Sequence, residues 1–271
     1  MLSKGLQDLL SLPENVQVVE LVNSSTAAVD YSLPVKTLST KIRDRNTDND
    51  EFRIGLYDFG ILAAYAVLGL EPVIKHNVVT GNNSPYEGYS YDTVSGYTLV
   101  EILRAGEPLG RGLEKVLRRH RMQPATAYLG MKRIEKEGEV FRRVDGKPHW
   151  DFVYEANYAA PFDVEDRVVI LSDPMLATGG SMKRAAEIIL NKGSPRRFYT
   201  VSFVAARYGL EVMLDFLNAY PKIRSTIIIG EVDTRGIDNT GLDERGYITP
   251  GLGDAGDRSH DRPRNSEADR G

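Results

Sequence analysis

A stretch in the middle of the chain carries residue types suited to binding a phosphorylated sugar. Asp173 directly follows the strand-like run RVVILS, and the small-residue loop PMLATGGS leads from it into a helical pattern. The unpaired N–H groups at a helix N-terminus suit a phosphate, Gly179 and Gly180 let the backbone turn closely around it, and the Thr178 and Ser181 hydroxyls are further donors. An ionised Asp173 only accepts hydrogen bonds, so its natural partners are sugar hydroxyls or a metal-bound water.

The spacing of residues 173–181, the phosphate loop, argues against a nucleoside triphosphate clamp. The pattern GxxxxGK[ST] is absent, and Lys183 comes too late to reach a second phosphate. A helix N-cap with turn glycines and no function is the alternative interpretation. The combination of strand, acid and Thr-Gly-Gly-Ser favours a sugar monophosphate site.

A second glycine-rich segment, GYITPGLGDAGDR, covers residues 246–258 and contains GxGxxG. A dinucleotide site is excluded because no buried strand leads directly into it, and only a polar tail follows where a helix and a second strand are required. Gly251, Gly253 and Gly256 allow the main chain to approach a ligand closely, and Pro250 stiffens the segment. A glycine-rich turn without function is the alternative.

Together the two segments resemble the uracil phosphoribosyltransferases, a family of type I phosphoribosyltransferases. DPMLATGGS agrees at nine consecutive positions with that family's motif for 5-phospho-α-D-ribose 1-diphosphate (PRPP), and residues 246–258, the base segment, are similar to its uracil-binding segment. The resemblance implies PRPP contacts from Arg104, Arg133, Asp173, Pro174, Met175, Leu176, Ala177, Thr178, Gly179, Gly180, Ser181 and Asp254. It implies uracil contacts from Ile248, Gly253, Asp254 and Ala255.

The resemblance implies transfer of ribose 5-phosphate from PRPP to N1 of uracil, giving UMP and pyrophosphate in pyrimidine salvage. Uracil shows two carbonyl acceptors flanking one N–H donor, so the protein must present donor, acceptor and donor. Cytosine would leave buried groups unpaired, at about 1–3 kcal/mol each. Two alternatives stay open: a phosphoribosyltransferase for another base, and a regulator that senses PRPP or UMP without catalysis.

Two arginines match the family's pattern for neutralising pyrophosphate. Arg104 lies in LRAG at the end of a predicted strand, and LGMKR selects Arg133, with Lys132 as its near competitor. The planar fork of arginine holds phosphate oxygens in bidentate fashion and keeps its charge. The resemblance implies that these arginines stabilise the transition state and that no residue acts as a nucleophile. Glu107 and Arg111 stand where the family often continues with apolar residues, so pyrophosphate contacts there are expected to differ.

The resemblance also implies Mg²⁺ bound mainly through PRPP, without protein ligands, and a homodimer or larger homo-oligomer. Nucleotides such as GTP are effectors of some relatives, so GTP is a candidate effector. The four histidines are scattered, and the absence of cysteine excludes disulfides and thiolate metal sites. A reducing compartment fits this composition, and we expect a cytoplasmic protein.

Alternating strands and helices are predicted to position these residues. From Tyr97 onward, strand-like runs alternate with helical patterns, which predicts an α/β fold with a mainly parallel central sheet flanked by helices. Ligands of such sheets bind beyond the carboxyl ends of the strands. The resemblance adds the type I phosphoribosyltransferase fold with a small hood.

The remaining segments complete a single domain over residues 1–256. Asn15–Val22 reads as an early strand, and an apolar helix face is predicted by Phe52, Leu56, Phe59, Ala63 and Val67. Residues 77–96 are expected to form a loop or irregular hairpin, and residues 133–158 a projecting β-hairpin arm. The charged residues 257–271 are expected to form a disordered tail.

Bulk composition limits the possible partners. The 271 residues are 41% apolar with a formal net charge of −4, which gives no excess positive potential for holding a nucleic acid. No apolar run approaches the roughly 18 residues that a bilayer span needs, and the N-terminus has acids and a proline where a signal peptide is apolar. We expect neither nucleic acid nor a membrane as a partner.

Overall fold

A central sheet of mainly parallel strands organises the fold. The computed structural model describes residue 10 and residues 12–23, 32–91, 96–134 and 140–260. The strands are β1 (Val16–Glu20), β2 (Val73–Val79), β3 (Pro85–Tyr91), β4 (Tyr97–Leu103), β5 (Ala125–Ile134), β6 (Phe141–Val144), β7 (Lys147–Trp150), β8 (Val153–Ala159), β9 (Val168–Ser172), β10 (Met175–Leu176), β11 (Arg197–Ala206) and β12 (Ser225–Asp233). The sheet order is β1-β12-β11-β9-β4-β5-β8, with β10 beside β11, and every pairing is parallel except that of β5 with β8. The predicted fold class is confirmed.

Helices cover both faces of this sheet. They are α1 (Leu33–Arg43), α2 (Asn49–Leu70), α3 (Glu107–Arg119), α4 (Gly180–Leu190), α5 (Arg207–Asn218) and α6 (Ala255–Ser259). Residues of α2 and α3 share one apolar core cluster with one face of the sheet, and residues of α4 and α5 share a second cluster with the other face. Strands β4, β9 and β11 are therefore buried along nearly their whole length, as expected for strands covered on both sides.

Helix α2 lies in the core and packs closely on α3. The predicted apolar face is confirmed, because Phe52, Leu56, Phe59, Ala63 and Val67 are all fully buried. The two helices approach at Gly60 and Gly112, where a Cβ on either glycine would overlap the backbone of the other helix. Helix α2 is long and apolar enough to cross a bilayer by length and composition alone. On those two criteria, the prediction that no apolar segment approaches the length of a bilayer span is wrong. In the fold, its apolar residues form the core of the domain instead.

Both predicted hairpin regions differ from expectation. Residues 73–91 form a regular antiparallel hairpin, β2–β3, rather than a loop or an irregular one, and residues 92–95 of the predicted segment lie outside the described residues. The arm predicted over residues 133–158 divides in two: β8 joins the main sheet antiparallel to β5, and only β6–β7 form a separate hairpin. This small hairpin does not project, because Trp150 is buried, donates from Nε1 to the Asp243 carbonyl at 3.0 Å, and packs its ring on Tyr208.

The first residues of the predicted tail belong to a short helix. Residues 255–259 form α6, whose N-cap Asp254 accepts a hydrogen bond from the Asp257 amide at 2.9 Å. The boundary at residue 257 is therefore wrong, since Arg258 is held by several backbone carbonyls, including that of Leu252. The rest of the predicted tail, residues 261–271, lies outside the described residues.

Candidate functional site

A pocket of about 690 Å³ lies at the carboxyl ends of β4, β5 and β9, a volume suited to small-molecule substrates. Both glycine-rich segments contribute to its wall, although some 70 positions of sequence separate them. The predicted site residues that line it are Arg104, Arg133, Asp173, Met175, Leu176, Ala177, Thr178, Gly179, Gly180, Ser181, Ile248, Gly253 and Asp254. Pro174 and Ala255 are buried and are not among the residues that line the pocket.

The phosphate loop turns sharply from β9 into α4. Gly179 is the N-cap of the helix with a φ of +81°, a conformation that favours glycine, and a Cβ there would also lie 2.9 Å from Val212 Cγ1. Gly180 and Ser181 begin the helix and line the pocket. The N-terminus of α4, whose first N–H groups have no partner within a helix, therefore lies at the pocket wall.

Asp173 lies at the carboxyl end of β9, as the sequence predicts. Its Oδ1 accepts one hydrogen bond from the Met175 amide at 3.3 Å. Burial at the pocket floor raises the pKa of the Asp173 carboxyl to about 7, and the Met175 amide opposes the shift. Among the described residues the Met175 amide is the donor found for this carboxyl, so its other lone pairs are suited to accept hydrogen bonds from a bound ligand.

The two predicted arginines line the pocket on neighbouring strands. Arg104 follows β4 and is exposed, whereas the Arg133 guanidinium lies over the Phe152 ring at 4.5 Å from its centroid and over the Tyr247 ring at 5.6 Å. Such stacking orients the planar fork of an arginine. Lys132 also lines the pocket and is exposed, so both competitors remain within reach of the same ligand.

Glu107 and Arg111, which depart from the family pattern, form an ion pair with each other along α3. Neither side chain is among the residues that line the pocket. The departure therefore concerns the outer surface of α3 rather than the pocket wall.

The base segment is anchored by hydrogen bonds to Arg43, at the end of α1, and to Asp233, at the end of β12. Gly251, with a φ of +63°, donates its N–H to Asp233 Oδ2 at 2.9 Å and accepts from Arg43 Nη1 at 2.8 Å. Arg43 also forms a two-bond pair with Asp233, at 2.7 and 3.0 Å, and bonds Glu231 at 3.0 Å. These bonds satisfy both backbone groups of Gly251 and fix the segment against α1 and β12.

Arg258 fixes the far end of the base segment. It donates to the carbonyls of Leu252 and Asp44 at 2.7 Å and to that of Ile42, and its guanidinium lies 4.3 Å from the centroid of the Phe52 ring. Residues before position 90, which carry no recognisable motif, thus hold the base segment in place. The anchoring roles of Arg43 and Arg258 cannot be predicted from the sequence, because these hydrogen bonds join positions more than 200 residues apart.

A buried carboxyl lies behind the loop that carries Arg104. Glu101 of β4 is 1% exposed, and within the described part of the chain its Oε2 has no hydrogen-bond partner. It packs against Gly110 of α3, where a Cβ would overlap it. Burial, helped by the negative charges of Glu107 and Glu114 and opposed by Arg111, raises the pKa of Glu101 to about 8. The fold therefore holds this carboxyl as the neutral acid at pH 7.

Fold and pocket together place the chain among the type I phosphoribosyltransferases. Residues 31–261 match the family described as uracil phosphoribosyltransferase. The chain is 35% identical to the uracil phosphoribosyltransferase of Sulfurisphaera tokodaii over 222 residues, which cover 81% of this chain and 92% of that one. It is 35% identical to that of Saccharomyces cerevisiae over 225 residues, covering 82% and 89%. The chain therefore belongs to the uracil phosphoribosyltransferase family, a family of pentosyltransferases.

A solved structure supports the same architecture. The AQ2163 protein from Aquifex aeolicus superimposes with a TM-score of 0.66 at 27% identity, covering 90% of this chain and 98% of that one. The similarity therefore extends over almost the whole of both chains.

Proposed function

We propose that this chain transfers the ribose 5-phosphate group of PRPP to N1 of uracil, yielding UMP and pyrophosphate in pyrimidine salvage. The observation that carries the proposal is the convergence of the phosphate loop and the base segment on one pocket. A sugar phosphate on the loop and a flat base on the segment would share that space. Family membership supports the choice of both substrates.

The pocket supplies positioning and charge rather than a nucleophile. The phosphate loop and the start of α4 would hold the 5-phosphate, and Asp173 would accept hydrogen bonds from the ribose hydroxyls. Arg104 and Arg133 would neutralise the departing pyrophosphate. The family resemblance supports inversion at the anomeric carbon and a transition state of oxocarbenium character. Holding two reactants in line and stabilising the leaving group accounts for the acceleration in such a site.

Backbone groups of the base segment would read the uracil edge. Gly253 has a φ of +82° and is exposed at the pocket, next to Asp254. Because Gly251 is held by Arg43 and Asp233, the neighbouring amide and carbonyl groups have a fixed direction. Fixed donors and acceptors discriminate strongly, since a base with the wrong pattern leaves them unpaired.

The donor set of the pocket fits Mg²⁺ carried by the substrate. The oxygens of Asp173 are of the type that Mg²⁺ prefers and would hold it through water, while PRPP would supply the direct ligands. When bound, Mg²⁺ would withdraw charge from the pyrophosphate oxygens. The family resemblance supports three further proposals, namely a homodimer or larger homo-oligomer, GTP as an effector, and a cytoplasmic location.

Steady-state kinetics test the proposed function. Pyrophosphate release is measured with PRPP, Mg²⁺ and, in turn, uracil, cytosine, hypoxanthine and orotate. We expect turnover with uracil alone; equal rates with another base would point to a different phosphoribosyltransferase, and binding of PRPP without release would point to a regulator. In the same assay Asp173→Asn should raise the KM for PRPP, while Asp166→Asn, an exposed acid, serves as the matched control.

A further inference from the structure

The Tyr154 side chain joins β8 to the phosphate loop. Its Oη lies 2.6 Å from Thr178 Oγ1. Its ring packs on the Cα of Gly180 so closely that a Cβ there would overlap it. Gly180 begins α4, so one side chain contacts both a loop hydroxyl and the helix N-terminus to which the phosphate is assigned.

Either hydroxyl can donate in the hydrogen bond between Tyr154 and Thr178, and the direction determines whether the single Thr178 proton is free for a ligand. Burial raises the pKa of the Tyr154 phenol above its ordinary value of 10, and the Thr178 hydroxyl and Arg133 offset this in part. The phenol is thus neutral at physiological pH and has one proton to donate. When Tyr154 donates to Thr178 Oγ1, the threonine proton stays available for a phosphate oxygen.

The same strand also supports the arginine side of the pocket. In the β5–β8 ladder Tyr154 pairs with Arg133, and Phe152, two positions earlier, lies under the Arg133 guanidinium. Gly246 of the base segment fits between Phe152 and Thr178, since a Cβ there would lie 2.8 Å from Phe152 Cε2 and 3.2 Å from Thr178 Cγ2. The arginine side, the phosphate loop and the base segment therefore meet at residues 152–154.

We infer that Tyr154 is a positioning residue for the 5-phosphate of PRPP, acting through the Thr178 hydroxyl and the backbone at Gly180. The inference rests on the proposed function. Tyr154 lines the pocket within β8, a segment that carries no recognised motif.

Binding without turnover tests this role. Tyr154→Phe keeps the ring on Gly180 and removes only the hydroxyl; Tyr158→Phe removes an exposed hydroxyl from the same strand and is the matched control. Calorimetry with ribose 5-phosphate and, separately, pyrophosphate is run on both variants. We expect Tyr154→Phe to weaken ribose 5-phosphate binding about three- to tenfold, the effect of one lost hydrogen bond, and to leave pyrophosphate binding unchanged. The KM for PRPP should rise by a similar factor, with the KM for uracil unchanged.

A double-mutant cycle shows whether the effect passes through Thr178. In a Thr178→Val background, Tyr154→Phe should have no additional effect on ribose 5-phosphate affinity. The inference would be overturned by unchanged ribose 5-phosphate affinity in Tyr154→Phe or by additive losses in the cycle. Tighter binding by Tyr154→Phe would also overturn it, and would mean that Tyr154 closes the loop against phosphate. A wild-type chain that binds ribose 5-phosphate but releases no pyrophosphate from PRPP and uracil would instead refute the proposed function alone.

Discussion

Glu101→Gln should make the chain more stable at alkaline pH. The native state keeps the Glu101 proton up to a pKa of about 8, whereas the ordinary value is 4.5. Between these two values the native state binds more protons than the unfolded state, so stability falls as pH rises. Each pH unit between the two pKa values lowers the free energy of unfolding by about 1.4 kcal/mol, so full ionisation of Glu101 lowers it by about 5 kcal/mol. From pH 6 to pH 9 the loss attributable to this group is about 3 kcal/mol.

Glutamine has nearly the same shape and does not ionise, so the variant should lack this loss. Urea unfolding followed by circular dichroism at pH 6 and pH 9 gives the free energy of unfolding of both proteins. Glu244→Gln, at an exposed position, controls for the change of one formal charge and should keep the wild-type pH dependence. Parallel pH profiles for the wild type and Glu101→Gln would refute the reasoning, and would mean that water or a counter-charge reaches the carboxyl.

Two further predictions concern the walls of the pocket. Arg133→Ala should bind pyrophosphate about tenfold or more weakly than Lys132→Ala, because aromatic stacking already orients Arg133. A larger loss of affinity with Lys132→Ala in a calorimetric titration would reverse the assignment. Arg43→Lys should cost about 1–3 kcal/mol in urea unfolding, because an ammonium cannot reproduce the paired bonds to Asp233 together with the bond to Gly251. It should also raise the KM for uracil more than that for PRPP, and an unchanged KM for uracil would contradict the anchoring role of Arg43.

The sequence predicts the elements whose signals are local. The strand before Asp173 and the helix after Gly180 follow from apolar patterning and helix-start residues within a few positions. The pairing of β8 with β5 is different, because the charged alternation in residues 133–158 is compatible with a free hairpin and with an added edge strand. Contacts outside the segment distinguish the two: β8 bonds to β5 of the main sheet, and Trp150 at the end of the small hairpin donates to the distant Asp243 carbonyl.

The candidate site shows the same division. Residues of the phosphate loop and the base segment are contiguous in sequence and can be identified from motifs. Tyr154 and Arg43 act through contacts with distant segments, and a tyrosine in a strand or an arginine in a helix carries no local sign of such a partner. The burial of Glu101 cannot be predicted for a related reason, since it depends on how closely α3 packs at Gly110.

The anchoring of the base segment has a consequence for synthesis in the cell. Arg43 and Gly251 are 208 positions apart, and Arg258 and Ile42 are 216 apart. A ribosome completes the phosphate loop at residue 181 and the base segment at residue 258, so the partners of that segment on α1 and α2 must wait for it. A nascent chain would therefore complete the phosphate loop first, and the base segment would reach its anchored position only after residue 258 has been made.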